Sequence, residues 1–241
     1  MDTVRQLRVR AVRVPMTEPH RTASGVITES PLVLIDAEIA PGLTGHAILF
    51  AYSAAALGPL AELVRNLAPL VEGQPLAPAE RTAALLSRFK LLGTQGLVGM
   101  AIAGLDMALW DAFAKVCGMP LARLFGGQPR PVPAYGPIGF DGASNSARTA
   151  DRLARQGFSA MKAKIGYPTL DEDIAVIETI RAAVGGGRHL MVDYNQSLSV
   201  PEALRRLRAL EEFELTWVEE PTRAHDYAGQ SPQMARLGGD E

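Results

Sequence analysis

From Val132 onward the chain alternates short apolar strands with amphipathic helical stretches, and no other feature restricts its possible folds so tightly. The strand-like runs are Val132–Ile138, Ser159–Ile165, His189–Tyr194 and Leu215–Glu219. Helical patterns fill the intervals near Asn145–Gln156, Asp171–Val184 and Val200–Glu211. Repeated βα units require a parallel sheet with right-handed crossovers, either doubly wound or closed as a (β/α)8 barrel. No GxGxxG or P-loop follows the first strand, which weakens a nucleotide-binding sheet. Gly185-Gly186-Gly187 comes after a helix and reads as a turn. A complete barrel takes about 250 residues, so residues 131–241 amount to roughly four of eight units.

The first 130 residues have a different texture. An alternating strand around Leu7–Val14 is followed by two more at Leu32–Ile39 and His46–Tyr52, with a turn at Pro41–Gly45 joining the last two as a hairpin. Helical patterns then run over Ala54–Leu70, Ala79–Leu92 and Leu97–Val116. In the third, Met100, Ala103, Leu105, Leu109, Ala112, Phe113 and Val116 recur at helical spacing and read as a core-facing stripe, ended by Gly118 and Pro120. Strands followed by helices make an α+β domain. The expected fold class is therefore α/β: an α+β domain over residues 1–130, then a partial parallel (β/α) sheet over 131–241.

Composition narrows the function classes. A net charge of -2 gives no electrostatic reason to expect nucleic acid or an anionic membrane as a partner. The N-terminus lacks the apolar h-region of a signal peptide, and no window is read as an unbroken membrane-spanning run, so a cytoplasmic protein is expected. Cys117 is the only cysteine, which excludes an intrachain disulfide and a cysteine zinc cluster; within Phe113–Met119 it reads as a buried thiol.

Polar residues gather at the C-terminal ends of three successive predicted strands. Met161-Lys162-Ala163-Lys164-Ile165 puts both lysines on one face and the apolar residues on the other. Asp193 and Asn195 repeat the pattern in Val192–Asn195, and the next strand ends Trp217-Val218-Glu219-Glu220-Pro221. About one βα unit separates each group, so Lys164, Asp193 and Glu219 should be neighbours where barrel enzymes carry their sites. Two carboxylates and an amide oxygen are hard donors that suit Mg²⁺. A lysine beside a second lysine and a divalent cation should have a lowered pKa and be able to act as a base. Taken singly, Lys-x-Lys is an ordinary strand edge and Asp-x-Asn an ordinary turn; the conjunction carries the signal.

At these residues the sequence resembles the enolase superfamily and, within it, the mandelate racemase subgroup. The resemblance runs through Lys162–Pro168, Met191–Ser197 and Val218–Thr222, on to His225-Asp226-Tyr227, and back through Asp106–Asp111, Pro120–Gly127 and Gly45–Tyr52. It implies a capping domain followed by the first half of a TIM-like barrel, C-terminally truncated. It also implies Lys164 as the base at the substrate α-carbon, Lys162 at the substrate carboxylate, Asp193 and Glu219 as Mg²⁺ ligands, and Asn195 at the substrate hydroxyl. A capping loop around Pro19–Ile27 would close over the substrate with Tyr52. The implied activity is racemisation or epimerisation of a small-molecule 2-hydroxy carboxylate, by a homo-oligomer if complete. Acid-sugar dehydration is the alternative within the family, and an inactive truncated fragment is the alternative outside it.

The third metal ligand and the opposite-face base belong to strands beyond these units, and Leu237–Glu241 has no strand character. The segment Pro137–Phe140 offers no hydroxyl where a relative would place serines. His20, Arg21 and Ser24 make the lid more polar than in mandelate-specific members, which implies a polar hydroxy acid or sugar acid. His46 and His189 read as structural or surface residues, whereas His20 and His225 are candidates for the lid and the mouth.

Overall fold

A computed structural model describes residues 2–22 and 25–227. The chain forms two compact units, Met1–Thr17 with Thr28–Pro131, and Glu18–Ile27 with Val132–Glu241. Ser24 and the segment Leu237–Glu241 lie outside the described residues, as does the side chain of His20.

The first unit is built on an antiparallel sheet of β1 (Gln6–Thr22), β2 (Gly25–Ala40) and β3 (Leu43–Phe50), in that spatial order. Alternation in β2 buries Val33, Ile35, Ala37 and Ile39 and leaves the intervening side chains partly accessible. Strand β1 continues well past the predicted Val14, through Pro15 and Pro19. It is an edge strand, and an edge tolerates residues without a ladder N–H. The expected loop at Pro19–Ile27 is therefore largely strand, with β1 ending at Thr22 and β2 starting at Gly25.

Three helices cover the sheet: α1 (Ala54–Leu67), α2 (Pro78–Arg88) and α3 (Leu97–Val116), followed by the single turn α4 (Leu121–Leu124). Ser53 caps α1 by accepting from the Ala55 N–H. The buried face of α3 is Ala101, Ile102, Leu105, Ala108, Leu109 and Ala112, rotated from the predicted stripe so that Ala103 is exposed. Small residues set that rotation. A Cβ on Gly45 of β3 would fall 2.1 Å from the Ala108 carbonyl oxygen, and one on Gly104 would fall 2.6 Å from Ile35 Cδ1. The helix backbone thus lies directly on the strands.

Two expectations need correction here. Among the described residues α3 is the one helix long and apolar enough to cross a membrane, although Asp106, Asp111 and Lys115 interrupt its apolar run, and its buried face packs in this core. Cys117 is exposed, because α3 ends at Val116 and the residue after it leaves the apolar stripe.

The second unit carries the parallel sheet. Its strands are β4 (Gly136–Ile138), β5 (Ala160–Lys164), β6 (His189–Asp193) and β7 (Trp217–Glu219), ordered as in sequence. They alternate with α5 (Gly142–Arg155), α6 (Leu170–Val184) and α7 (Val200–Leu210). This is the α+β unit followed by a (β/α) sheet expected from the sequence, although β4 and β7 are shorter than predicted. Ile138, Met161, Ala163, Ile165, Leu190, Val192 and Tyr194 form the helix-side core with Val176, Ile177 and Ile180 of α6. Thr169 starts α6 with a capping box, exchanging hydrogen bonds with Glu172.

The sheet is rolled. Three strand spacings separate β4 from β7, about 14 Å if flat. Yet the rings of Tyr135, just before β4, and Trp217 of β7 meet edge to face with centroids 5.9 Å apart. The edge strands therefore curl toward one another on the face opposite the helices, as barrel strands do.

Candidate active site

Strand register builds the site. Lys164 of β5 pairs with Asp193 of β6, and Asp193 with Glu219 of β7, so the three stand in one row at the strands' C-terminal ends. Lys162, Met191 and Trp217 form the row two residues below. Period-2 geometry sends Met161, Ala163 and Ile165 to the helix side and both lysines to the concave face, with their side chains 14% and 12% exposed.

Asp193 is the hub. Its side chain is 3% exposed and accepts from Lys164 Nζ at 3.1 Å, from the Asn195 N–H at 2.8 Å and from Asn195 Nδ2 at 2.9 and 3.0 Å. Lys164 Nζ also donates to Asn195 Oδ1 at 2.6 Å. Lys162 Nζ donates to Glu219 Oε2 at 2.6 Å and stands 3.5 Å from Asp193 Oδ2. It also lies 5.4 Å from the Tyr135 ring centroid.

Burial pushes the Lys162 ammonium down, but the hydrogen bond to Glu219 and the charges of Asp193 and Glu219 outweigh it, and its pKa is raised. The ammonium faces two carboxylates, whose opposite charge favours its protonated form. The Asn195 amide oxygen, expected beside the carboxylates, accepts from Lys164.

The donor set nonetheless suits a hard divalent cation in kind. Asp193 and Glu219 present carboxylate oxygens from neighbouring strands, and a cationic group, Lys162 Nζ, already bridges them. Among the described residues no third His, Cys, Asp or Glu completes such a group.

The loops beyond the strands hold this arrangement. Asn195, Gln196 and Glu220 all adopt positive φ, at 46°, 62° and 45°. Gln196 donates from its N–H to the Glu220 carbonyl at 2.7 Å and from Nε2 to Glu220 Oε1 at 3.1 Å, while its Oε1 accepts from the Ala224 N–H at 3.0 Å. Tyr194 N–H donates to the Glu219 carbonyl at 3.0 Å and Leu198 N–H to that of Pro221 at 3.1 Å. Gln196 thus ties the loop after β6 to the loop after β7, a role that its position in the motif did not reveal. Tyr135 and Trp217 were also missed, though Trp217 precedes Glu219 by two residues and so shares its face. Ion-paired Asp173 and Arg206 had no signal in the sequence at all.

Of the remaining candidates, Tyr52 belongs to the first unit, just beyond β3, at positive φ and 75% exposed, with its ring against Phe50. His46 is a surface residue bonded to Asp36, and His189 lies beside Thr216 at the start of β6. His225 is exposed beyond β7. Arg21 lies 3.5 Å from Asp141 in the loop after β4, and its carbonyl accepts from the Phe140 N–H.

A parallel (β/α) sheet with its polar cluster at the strands' C-terminal ends defines a barrel-type enzyme site. Comparison with known proteins narrows the class. Residues 4–126 match the mandelate racemase/muconate lactonizing enzyme N-terminal domain, and residues 145–237 match the enolase C-terminal domain-like family. A crystal structure of an enolase from Bradyrhizobium complexed with magnesium and mandelic acid superposes with a TM-score of 0.91 at 43% identity, covering 97% of this chain and 65% of that one. L-talarate dehydratase from Polaromonas, complexed with Mg and L-glucarate, superposes with a TM-score of 0.88 at 29% identity, covering 98% and 66%. The 3,6-anhydro-alpha-L-galactonate cycloisomerase of Streptomyces coelicolor is 30% identical over 239 residues, which is 98% of this chain and 66% of that protein. The chain belongs to the mandelate racemase/muconate lactonizing enzyme family of the enolase superfamily. It spans just under two thirds of the length of these three relatives.

Proposed function

We propose that the protein removes the α-proton of a 2-hydroxy carboxylate in a Mg²⁺-dependent racemisation or epimerisation, with Lys164 as the base. The row Lys164–Asp193–Glu219, bonded through Lys162 and Asn195, carries this reading. In its neutral form Lys164 takes the proton at Nζ, and Asn195 Oδ1 and Asp193 Oδ2, at 2.6 and 3.1 Å, stabilise the ammonium that results. Lys162, kept cationic by its carboxylate neighbours, pairs with the substrate carboxylate. Asn195 is poised beside Lys164 to meet the α-hydroxyl. Asp193 and Glu219 would hold Mg²⁺, which when bound offsets negative charge developing on the carboxylate as the proton leaves. A lysine base with Mg²⁺ is known for enolase-superfamily sites and is carried over here.

Acid-sugar dehydration is the second reading, in which the same proton abstraction is followed by loss of a β-hydroxyl. Arg21, in the lid segment and next to Asp141, favours a polar substrate, and the similarity to an L-talarate dehydratase supports it. One experiment separates the readings. The full-length protein with Mg²⁺ is incubated in D2O with mandelate and a panel of sugar acids, and deuterium at the α-carbon and the products are followed. With wild type both enantiomers are expected to exchange, and Lys164→Ala should abolish exchange of the one whose α-proton faces Lys164; exchange of both enantiomers in the variant removes Lys164 as the base. An α-epimer as sole product rules out dehydration. The 241-residue chain alone, with two carboxylates and one base face, is expected to show no turnover, and a rate near that of the full-length protein would overturn that part.

A further inference from the structure

Three charged side chains are buried among the described residues: Asp193 of the site, and Asp173 and Arg206, which the proposed reaction does not use. Asp173 lies in the first turn of α6 and Arg206 in the middle of α7. Asp173 Oδ2 accepts from Arg206 Nη1 at 2.5 Å, and Asp173 Oδ1 accepts from the N–H groups of Gly166 and Tyr167 at 2.8 and 2.9 Å. Arg206 also donates to the carbonyls of Tyr167 and Pro168, at 2.9 and 3.2 Å, and through Nε to Glu202 at 2.6 Å. Four backbone groups of three consecutive residues therefore end on one ion pair. Those residues begin two positions after Lys164.

The same segment is fixed on its other sides. The Tyr167 ring stacks on Phe140 at 3.9 Å with planes 12° apart, and its hydroxyl accepts from the Gly142 N–H at 2.7 Å. Gly166 sits at φ 108°, and a Cβ there would lie 2.6 Å from Ser197 Oγ, so this loop presses against the one that carries Asn195. Stability alone does not explain a buried ion pair, since well-packed apolar residues commonly serve as well or better. Its bonds instead go to the backbone leaving β5, where a shift would carry Lys164 with it.

We propose that Asp173 and Arg206 are positioning residues for Lys164. They lock the exit of β5 so that Lys164 Nζ stands in reach of both Asn195 and Asp193. The inference rests on Lys164 being the base. A misplacement of about 1 Å costs roughly a hundredfold in rate.

The test uses the full-length protein with two variants. Arg206→Lys keeps the charge but lacks the planar fork that reaches Asp173, Tyr167 and Pro168 together. Asp173→Asn/Arg206→Met removes both charges and avoids leaving one buried alone, which protects folding. The readouts are kcat and KM for α-deuterium exchange, and hydrogen-exchange protection of the Gly166 and Tyr167 amides, at temperatures where circular dichroism shows each variant folded. Expected are a kcat lower by about 10- to 100-fold with KM within about threefold, and faster amide exchange at both positions. A kcat within about twofold of wild type in a folded variant, or unchanged amide protection, overturns the positioning role. Exchange of both enantiomers surviving in Lys164→Ala overturns the base assignment and with it the kinetic claim, whereas the amide result reports on the lock by itself.

Discussion

Lys162→Met should tighten divalent-cation binding even as it harms catalysis. Lys162 Nζ donates to Glu219 Oε2 at 2.6 Å and stands 3.5 Å from Asp193 Oδ2, so a metal ion entering between these carboxylates has to displace it. A hydrogen bond to a charged group is worth about 1.5–3 kcal/mol. The Glu219 side chain is 37% exposed, and screening there favours the lower end, about 1.5 kcal/mol, or roughly a tenfold change in Kd. Removing a positive charge beside the entering cation acts in the same direction. Methionine keeps the stem's length, and Lys164 and Asn195 still bond Asp193, so the variant should fold. The Lys162 pKa is raised above its ordinary 10.5, so the ammonium competes across the whole neutral range and a pH between 7 and 9 does not relieve it. Isothermal titration of the full-length protein with Mg²⁺ at low ionic strength and pH 8 measures the effect. A Kd equal to or weaker than wild type would show that Lys162 does not compete for these carboxylates, and the argument from its contacts fails.

Two further outcomes test the fold. Gly45→Ala would place Cβ 2.1 Å from the Ala108 carbonyl oxygen and 2.6 Å from the Ala112 nitrogen, both backbone atoms of a helix that cannot give way locally. Calorimetry should record a loss at the upper end of overpacking, about 3 kcal/mol or more; an unchanged stability would refute the close contact. Glu202, bonded by Arg205 and Arg206, has its carboxyl lowered to about 2, so its contribution is complete above the ordinary carboxylate range and fades only as pH falls toward 2. A carboxyl titration followed by NMR should find it there, and a value near 4 would mean that the arginine contacts do not hold in solution.

The legible parts of this molecule are those fixed by short-range periodicity. Alternation in Met161–Ile165 told which face each lysine takes, and unit spacing put Lys164, Asp193 and Glu219 on neighbouring strands; both hold in the register. What escaped depends on contacts distant in sequence. The rotation of α3 follows from Gly45 and Gly104, whose missing side chains matter only once strand and helix meet. The extension of β1 through two prolines follows from its edge position, which local patterning does not reveal. Arg206 lies on an amphipathic helix among other arginines, and only the fold brings it to Asp173, 33 residues away in sequence. The rise in the Lys162 pKa likewise depends on Glu219, 57 residues away in sequence.

These long-range contacts also explain how a polar cluster persists on an open, curved sheet. Bringing Lys162, Lys164 and two carboxylates together would be unfavourable if each had to be ordered separately, because exposed ion pairs add little. Here Asp193 and Lys164 are also held by Asn195, while Lys162 and Glu219 pair with each other. Asn195 grips Asp193 through its backbone and side chain, from a left-handed conformation stabilised by the ladder between residues 194–198 and 219–221. Gln196 fixes the turn beyond Glu219, and Asp173 and Arg206 fix the turn beyond Lys164. The ends of β5, β6 and β7 are thereby set by neutral hydrogen bonds and one buried ion pair behind the site. The charges in front remain free to exchange partners, as proton transfer and carboxylate binding require. Preorganisation of this kind is what gives electrostatic groups their catalytic leverage. In this chain much of it resides in Gln196, Asp173 and Arg206, behind the polar cluster.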